Sequence, residues 1–83
     1  MVYNNRGAVY HNLKNYMQAV EDFNRALEIN PNNSQSYYNL GLVYYDLKNY
    51  TQAILNYNRA IEFNPNYYEA YTNRGNVYLI LQN

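Results

Sequence analysis

Few residues in this 83-residue chain could carry chemistry, and their spacing decides between catalysis and recognition. His11 is the single histidine, and there is no cysteine. A protein metal site needs several ligands at matched phase, and Asn4, Asn12 and Asp46 do not complete a set around His11. Glu21 and Asp22 fall at helical spacing from Arg25, the pattern of a solvated surface pair rather than an acid–base dyad. Ser34 and Ser36 sit in an expected connecting turn with no base nearby in sequence. Gly7, Gly41 and Gly75 are spread 34 residues apart, so no glycine-rich phosphate loop exists. No catalytic residue, metal site or cofactor is expected. What does recur is an amide: Asn5, Asn39 and Asn73 are also 34 residues apart. A side-chain amide offers two donors and an acceptor, so a row of them can bond an extended peptide backbone whatever its side chains.

Composition narrows the partner. Six basic and six acidic residues cancel, which leaves no electrostatic footprint for a phosphate backbone. Nucleic acid is not an expected ligand. No apolar run approaches the ~20 residues of a membrane span, and no secretory signal follows Met1. The default expectation is a soluble cytoplasmic chain. With 48% hydrophobic residues the chain can pack a core, and 83 residues make one domain at most.

The elements that must position the amides follow from the period. Tyr3, Gly7 and Tyr10 recur as Tyr37, Gly41 and Tyr44, then as Tyr71, Gly75 and Tyr78. Ala19, Ala26 and Pro31 recur as Ala53, Ala60 and Pro65. Residues 1–33 match 35–67 at 18 of 33 positions. Such self-similarity marks a repeat architecture. Within one period, Tyr37, Leu40, Gly41, Tyr44 and Leu47 trace one helix face, and Tyr50, Ala53, Ile54, Tyr57, Ala60 and Ile61 trace a second. Asn30-Pro31 and Asn64-Pro65 break the chain, with asparagine expected to take the left-handed conformation that ends helices. Thr51 is the expected N-cap of its helix. These signals predict an all-α chain of five helices at about 2–13, 17–29, 36–47, 51–63 and 70–81.

Each glycine lies inside a predicted helix, where it costs about 1 kcal/mol relative to alanine. Three at one phase imply that no side chain fits there. Ala19 and Ala53 supply small partners on the second helix, and Tyr10, Tyr44, Phe23 and Tyr57 fill the space beside them.

The constellation Tyr37, Leu40, Gly41, Tyr44, Ala53, Tyr57, Ala60 and Pro65 resembles the tetratricopeptide repeat (TPR) signature position for position. The resemblance implies an α-solenoid of antiparallel helical hairpins in a right-handed superhelix. One repeat would occupy 1–33, a second 34–67 and a half repeat 68–83. Two departures stand out. Lys14 and Lys48 replace the glycine common in the inter-helix turn, which hands the turn's special dihedral to Asn15 and Asn49. Arg6 and Arg74 replace the leucine that precedes the glycine.

The resemblance also implies that the first helix of each hairpin lines a concave groove that binds a protein or peptide. By helical phase the groove takes Asn4, Asn5, Ala8, His11 and Asn12 from the first helix. The third helix adds Gln35, Tyr38, Asn39, Leu42, Tyr45 and Asp46, and the fifth adds Glu69, Thr72, Asn73, Asn76, Leu79 and Ile80. Its asparagine row is similar to that in the superhelical domain of O-linked N-acetylglucosamine transferases. Family members that hold the acidic tails of chaperones use a clamp of Lys, Arg and Asn. Here those positions are Asn4, Ala8, Asn39, Glu69 and Asn73, of which Asn39 alone matches. The expected partner is therefore a neutral or mildly basic segment, not an acidic chaperone tail. The last helix shows Tyr71, Val77, Tyr78, Leu79, Ile80 and Leu81 with no predicted helix after it. That pattern suggests a piece of a longer array, self-association through this helix, or both. A spacer or engineered array without a ligand is the alternative. A pentatricopeptide-like RNA binder fits less well, given the 34-residue period and zero net charge.

Overall fold

The computed structural model describes residues 2–82, and every regular element among them is a helix. The order is α1 (Val2–Asn12), α2 (Tyr16–Ile29), α3 (Ser34–Asp46), α4 (Tyr50–Phe63) and α5 (Tyr68–Gln82). Each helix packs on the next, and α1 also touches α3. The result is an α-solenoid of antiparallel hairpins, with a Cα envelope of 37 × 27 × 16 Å. None of these helices is long and apolar enough to cross a membrane.

A slab this thin has no single deep core. Ala19, Phe23, Leu40 and Val43 form one buried cluster among α2 and α3, with Ala8 and Tyr10 of α1 against it. Ala53, Tyr57, Ala60, Ala70 and Val77 form a second between α4 and α5. Each hairpin thus buries its apolar face against its neighbour, as stacked repeats do. Val77, expected to be exposed on the last helix, is instead fully buried in the second cluster.

The connections correct three expectations. Positive φ falls on Lys14 and Lys48 (both 62°), not on Asn15 and Asn49, whose φ values are −94° and −91°. The hydrogen bonds explain it. Asn15 N–H reaches the Tyr10 carbonyl (2.8 Å) and Lys14 N–H the His11 carbonyl (2.9 Å), with the same pair from Asn49 and Lys48 to Tyr44 and Tyr45. This is a Schellman closure, in which the residue just past the helix must be left-handed. Lysine occupies that place because the asparagine after it is already engaged, its carbonyl starting the next helix. Asn49, not Thr51, is the N-cap of α4, and its side chain accepts from Gln52 N–H (3.4 Å). Asn30 and Asn64 are extended, with φ of −136° and −144°, because a residue before proline is driven from the helical region. Their side chains accept from the backbone of Asn32 and Asn66 instead.

The charged residues hold a further correction. Asp22 is buried, not on a solvated outer face, and Arg6 grips it in a fork: Nε to Oδ2 at 2.8 Å and Nη2 to Oδ1 at 2.9 Å. Those bonds hold the Asp22 carboxyl below its ordinary range, against the opposing effect of burial. Glu21 alone makes the local pair with Arg25, at 3.5 Å. One repeat later, buried Leu40 and Asn56 stand at these two positions. The departure at Arg6 is therefore half of a matched exchange.

The glycines differ among themselves. A Cβ on Gly7 would stand 2.7 Å from the Phe23 ring, and one on Gly41 would collide with the Tyr57 ring. Both rings are fully buried and have nowhere to go. A Cβ on Gly75 meets nothing within 4 Å, so the steric reason inferred for all three glycines applies to two. Gly41→Ala is expected to lower stability by about 1–3 kcal/mol through overpacking. Gly75→Ala is expected to raise it by up to about 1 kcal/mol through helix propensity. Urea denaturation of the two variants checks the opposite signs.

Candidate functional site

The face shared by α1, α3 and α5 is built on a hydrogen bond that repeats with the sequence. Asn39 Nδ2 donates to Asn4 Oδ1 (3.3 Å), and Asn73 Nδ2 donates to Tyr38 Oη (2.8 Å). Both bonds run from one hairpin's first helix to the residue one place before its counterpart, a repeat earlier. The structure therefore gives the asparagine row a stitching role that its spacing did not reveal. Asn5 begins the row and is exposed.

Around that spine the two junctions differ. Between α1 and α3, Asn4 is buried rather than groove-lining: Nδ2 donates to Gln35 Oε1 (3.2 Å), and Oδ1 also accepts from Ser36 Oγ (3.2 Å). Ser36, expected in a turn, is a fully buried member of α3. Between α3 and α5, aromatic rings take the place of these amides. Tyr38 stacks on Tyr67 with centroids 4.8 Å apart and tilts against Tyr57 at 5.9 Å. An open pocket of ≈ 290 Å³ lies beside them, lined by Tyr38, Tyr68, Glu69, Thr72 and Asn73. Tyr67 and Tyr68 are not among the residues that the sequence singles out. The signal that could have found them is their replacement of Asn33 and Ser34 at the same phase.

The other predicted positions spread along this face. Leu42 and Tyr45 are half-buried against the α4 core, with Tyr45 edge-on to Tyr50 at 6.0 Å. Asn76, Leu79 and Ile80 are exposed on α5. His11, expected to be solvated and unpaired, contacts Asp46 through Nε2 and Oδ2 at 2.6 Å, tying α1 to α3. Its ring also lies 5.9 Å from that of Tyr16. Among the described residues no three His, Cys, Asp or Glu side chains gather to hold a metal ion. A larger depression of ≈ 470 Å³ lies between α1 and α2, lined by Tyr3, Arg25, Glu28 and Ile29. It does not touch the asparagine row.

Electrostatics sets the character of the face. Burial pushes the Tyr38 phenol up, and the nearby Glu69 charge adds to the effect. Burial chiefly pushes Tyr67 up to about 12, with Tyr38 and Glu69 contributing. These hydroxyls stay neutral and keep their protons for hydrogen bonding. Tyr57 is pushed up furthest, mainly by burial, and its hydroxyl has no protein partner among the described residues.

Models of the tetratricopeptide repeat match residues 1–33 and 34–67, and a second model of the same repeat matches 56–83. The chain belongs to the tetratricopeptide repeat family. The first TPR of Spaghetti (RPAP3), bound to the HSP90 peptide SRMEEVD, shares 27% identity at a TM-score of 0.92. That match covers 98% of this chain and 64% of the other. The first TPR domain of the human RPAP3 protein shares 28% at 0.91, covering 96% and 63%. MamA shares 29% at 0.89, covering 92% and 44%. The chain thus spans less than two thirds of each of these structures. No curated protein sequence matches it significantly.

Phe23 holds the place of Tyr57 in the first repeat without a hydroxyl. Tyr57→Phe removes a buried group that lacks a partner and is expected to stabilise the fold by about 1 kcal/mol. For a domain of this size that raises Tm by about 4–8 °C, which thermal circular dichroism would measure.

Proposed function

We propose that the chain is a non-catalytic protein-interaction scaffold whose groove takes an extended, neutral to mildly basic segment of a partner. The observation that carries this reading is the state of the row. Asn39 and Asn73 each spend one amide hydrogen on the stitch and keep the other, together with the carbonyl oxygen, for a ligand. Asn5 keeps its whole amide at the exposed end. Tyr38, Leu42 and Tyr45 offer apolar surface beside the row, Asn76 extends it along α5, and His11 flanks it on α1. The capture of SRMEEVD by a domain of similar fold supports peptide binding as the general role.

The sign of the charge argues against the same peptide here. Of the groove positions only Asp46 and Glu69 carry a formal charge, both negative. The positions that would clamp a terminal carboxylate hold Asn4, Ala8, Asn39, Glu69 and Asn73, and Asn4 is committed to Gln35, Ser36 and Asn39. On an array of extended peptides, binders are expected among neutral and basic sequences. Asn39→Ala and Tyr45→Ala should each weaken them about tenfold, with folding followed by circular dichroism. Saturable binding of SRMEEVD that depends on its free C-terminus would overturn the charge assignment.

A second reading rests on α5. Tyr71, Tyr78, Leu79 and Leu81 are 40–61% exposed along one helix, and the open space at Gly75 lies on the same helix. These apolar side chains have no cover on α5 among the described residues, and we propose self-association through them. Sedimentation equilibrium should show weight-average mass rising with concentration, and Tyr78→Lys should suppress the rise. A monomer up to millimolar concentration would refute it.

A further inference from the structure

We infer that the pocket between α3 and α5 is a cation subsite that takes one arginine or lysine side chain of the segment lying in the groove. This rests on the groove reading and adds to it the residue type that the groove selects. Its basis is the contrast between two junctions that the 34-residue period makes equivalent. At the first, Asn4, Gln35, Ser36 and Asn39 close on one another in three hydrogen bonds. At the second, the same positions hold Tyr38, Glu69, Ala70 and Asn73. The stitch from asparagine survives, but Glu69 replaces Gln35 and has no donor to answer it among the described residues.

That carboxylate is set apart from most of the others. Asp22 has Arg6, Glu21 has Arg25, Glu62 has Arg59, and Asp46 has His11. Glu69, like Glu28, has neither an ion pair nor a side-chain hydrogen bond among the described residues. Arg74, the cation nearest in sequence, is turned away: it donates to Asn58 at 2.8 Å and lies over the Tyr71 ring. A place in the first turn of α5 favours an acid through the helix dipole, but that does not account for the aromatic lining.

The lining suits a cation. Tyrosine faces attract guanidinium and ammonium groups, and this chain already uses them so. Arg6 and Arg25 lie 5.3 and 5.8 Å from the Tyr3 ring centroid, and Arg74 5.3 Å from that of Tyr71. In the pocket, Tyr68 is 70% exposed and free to cover an incoming side chain. Asn73, on the same pocket wall, adds its amide oxygen as a neutral acceptor. At ≈ 290 Å³ the pocket falls just below the range for small-molecule sites, which fits one side chain rather than a whole small molecule.

The test is a set of fluorescein-labelled, end-capped nonapeptides identical except for Arg, Lys, Leu or Glu at the centre, titrated by anisotropy. Arg should bind about tenfold more tightly than Leu, with Lys between them and Glu weakest. Glu69→Gln should collapse the Arg-to-Leu ratio to near one, and Glu69→Lys should move Glu ahead of Arg. Tyr68→Ala, at an exposed position, should reduce the ratio severalfold. Amide shifts that differ between the Arg and Leu peptides at Tyr38 and 68–73 would locate the contact. An Arg-to-Leu ratio near one in the unmodified chain, or one that survives Glu69→Gln, overturns the subsite. If the Leu peptide binds in that case, the groove reading stands alone. If no peptide binds, both fall.

Discussion

The approach of two helices to the distance at which an aromatic ring fills the space of a missing Cβ governs the geometry of this chain. Phe23 against Gly7 and Tyr57 against Gly41 are the two instances. Each ring is wholly removed from water, and burying a side chain of that size contributes roughly 1.5–3 kcal/mol. The glycine penalty of about 1 kcal/mol is small beside that gain. Because the contact sits midway along each hairpin, it fixes how far the first helix stands from the second. It thereby fixes which face of the first helix is left for other use.

That remaining face is where the hairpins meet one another, and its chemistry follows from the first constraint. With the glycine side of α3 pressed on Tyr57, the flanks of the helix turn toward the neighbouring hairpins. Tyr38 and Asn39 are carried into reach of α5 and α1 respectively. One asparagine hydrogen bond per junction sets the stagger, and the polar end of Tyr38 serves as acceptor where Asn4 does so a repeat earlier. Tyrosine fits the place because its ring packs on Tyr57 and Tyr67 while its oxygen stays at the surface layer.

Much of this was legible in the sequence because it repeats. The period, the helix faces and the glycine approach at Gly7 and Gly41 all follow from spacing. The illegible parts depend on pairs that spacing does not connect. Arg6 and Asp22 lie 16 residues apart on different helices, so spacing alone points to the local partner Arg25 and not to the fork. His11 and Asp46 are 35 apart, one step off the period, and a comparison at a 34-residue shift passes over them. The asparagines mislead for a different reason. The same side chain serves as N-cap at Asn33 and Asn49, as a pre-proline turn acceptor at Asn30 and Asn64, and as a stitch at Asn39 and Asn73. Composition records their abundance without distinguishing these roles. In the Schellman turns the backbone selected for position rather than residue type, which placed Lys14 and Lys48 where glycine would be easier.

Repetition also shows where the two halves part company, and that difference bears on recognition. A repeat that merely supports its neighbours would do well with the first junction, where Gln35, Ser36 and Asn39 answer the buried Asn4 amide. A buried polar group without a partner is costly, so self-satisfaction is the stable default. The second junction departs from it in five places at once: Asn4 becomes Tyr38, and Asn33, Ser34, Gln35 and Ser36 become Tyr67, Tyr68, Glu69 and Ala70. Asn4, the acceptor of the Ser36 hydroxyl, becomes Tyr38 as that hydroxyl is lost, and Ala70 joins a buried apolar cluster. The polarity moves outward instead, to a carboxylate at the rim of an aromatic pocket. Stability at this junction is kept by the Tyr38–Tyr67 stack and the single Asn73 bond. The unmatched charge thus sits where an incoming partner can reach it.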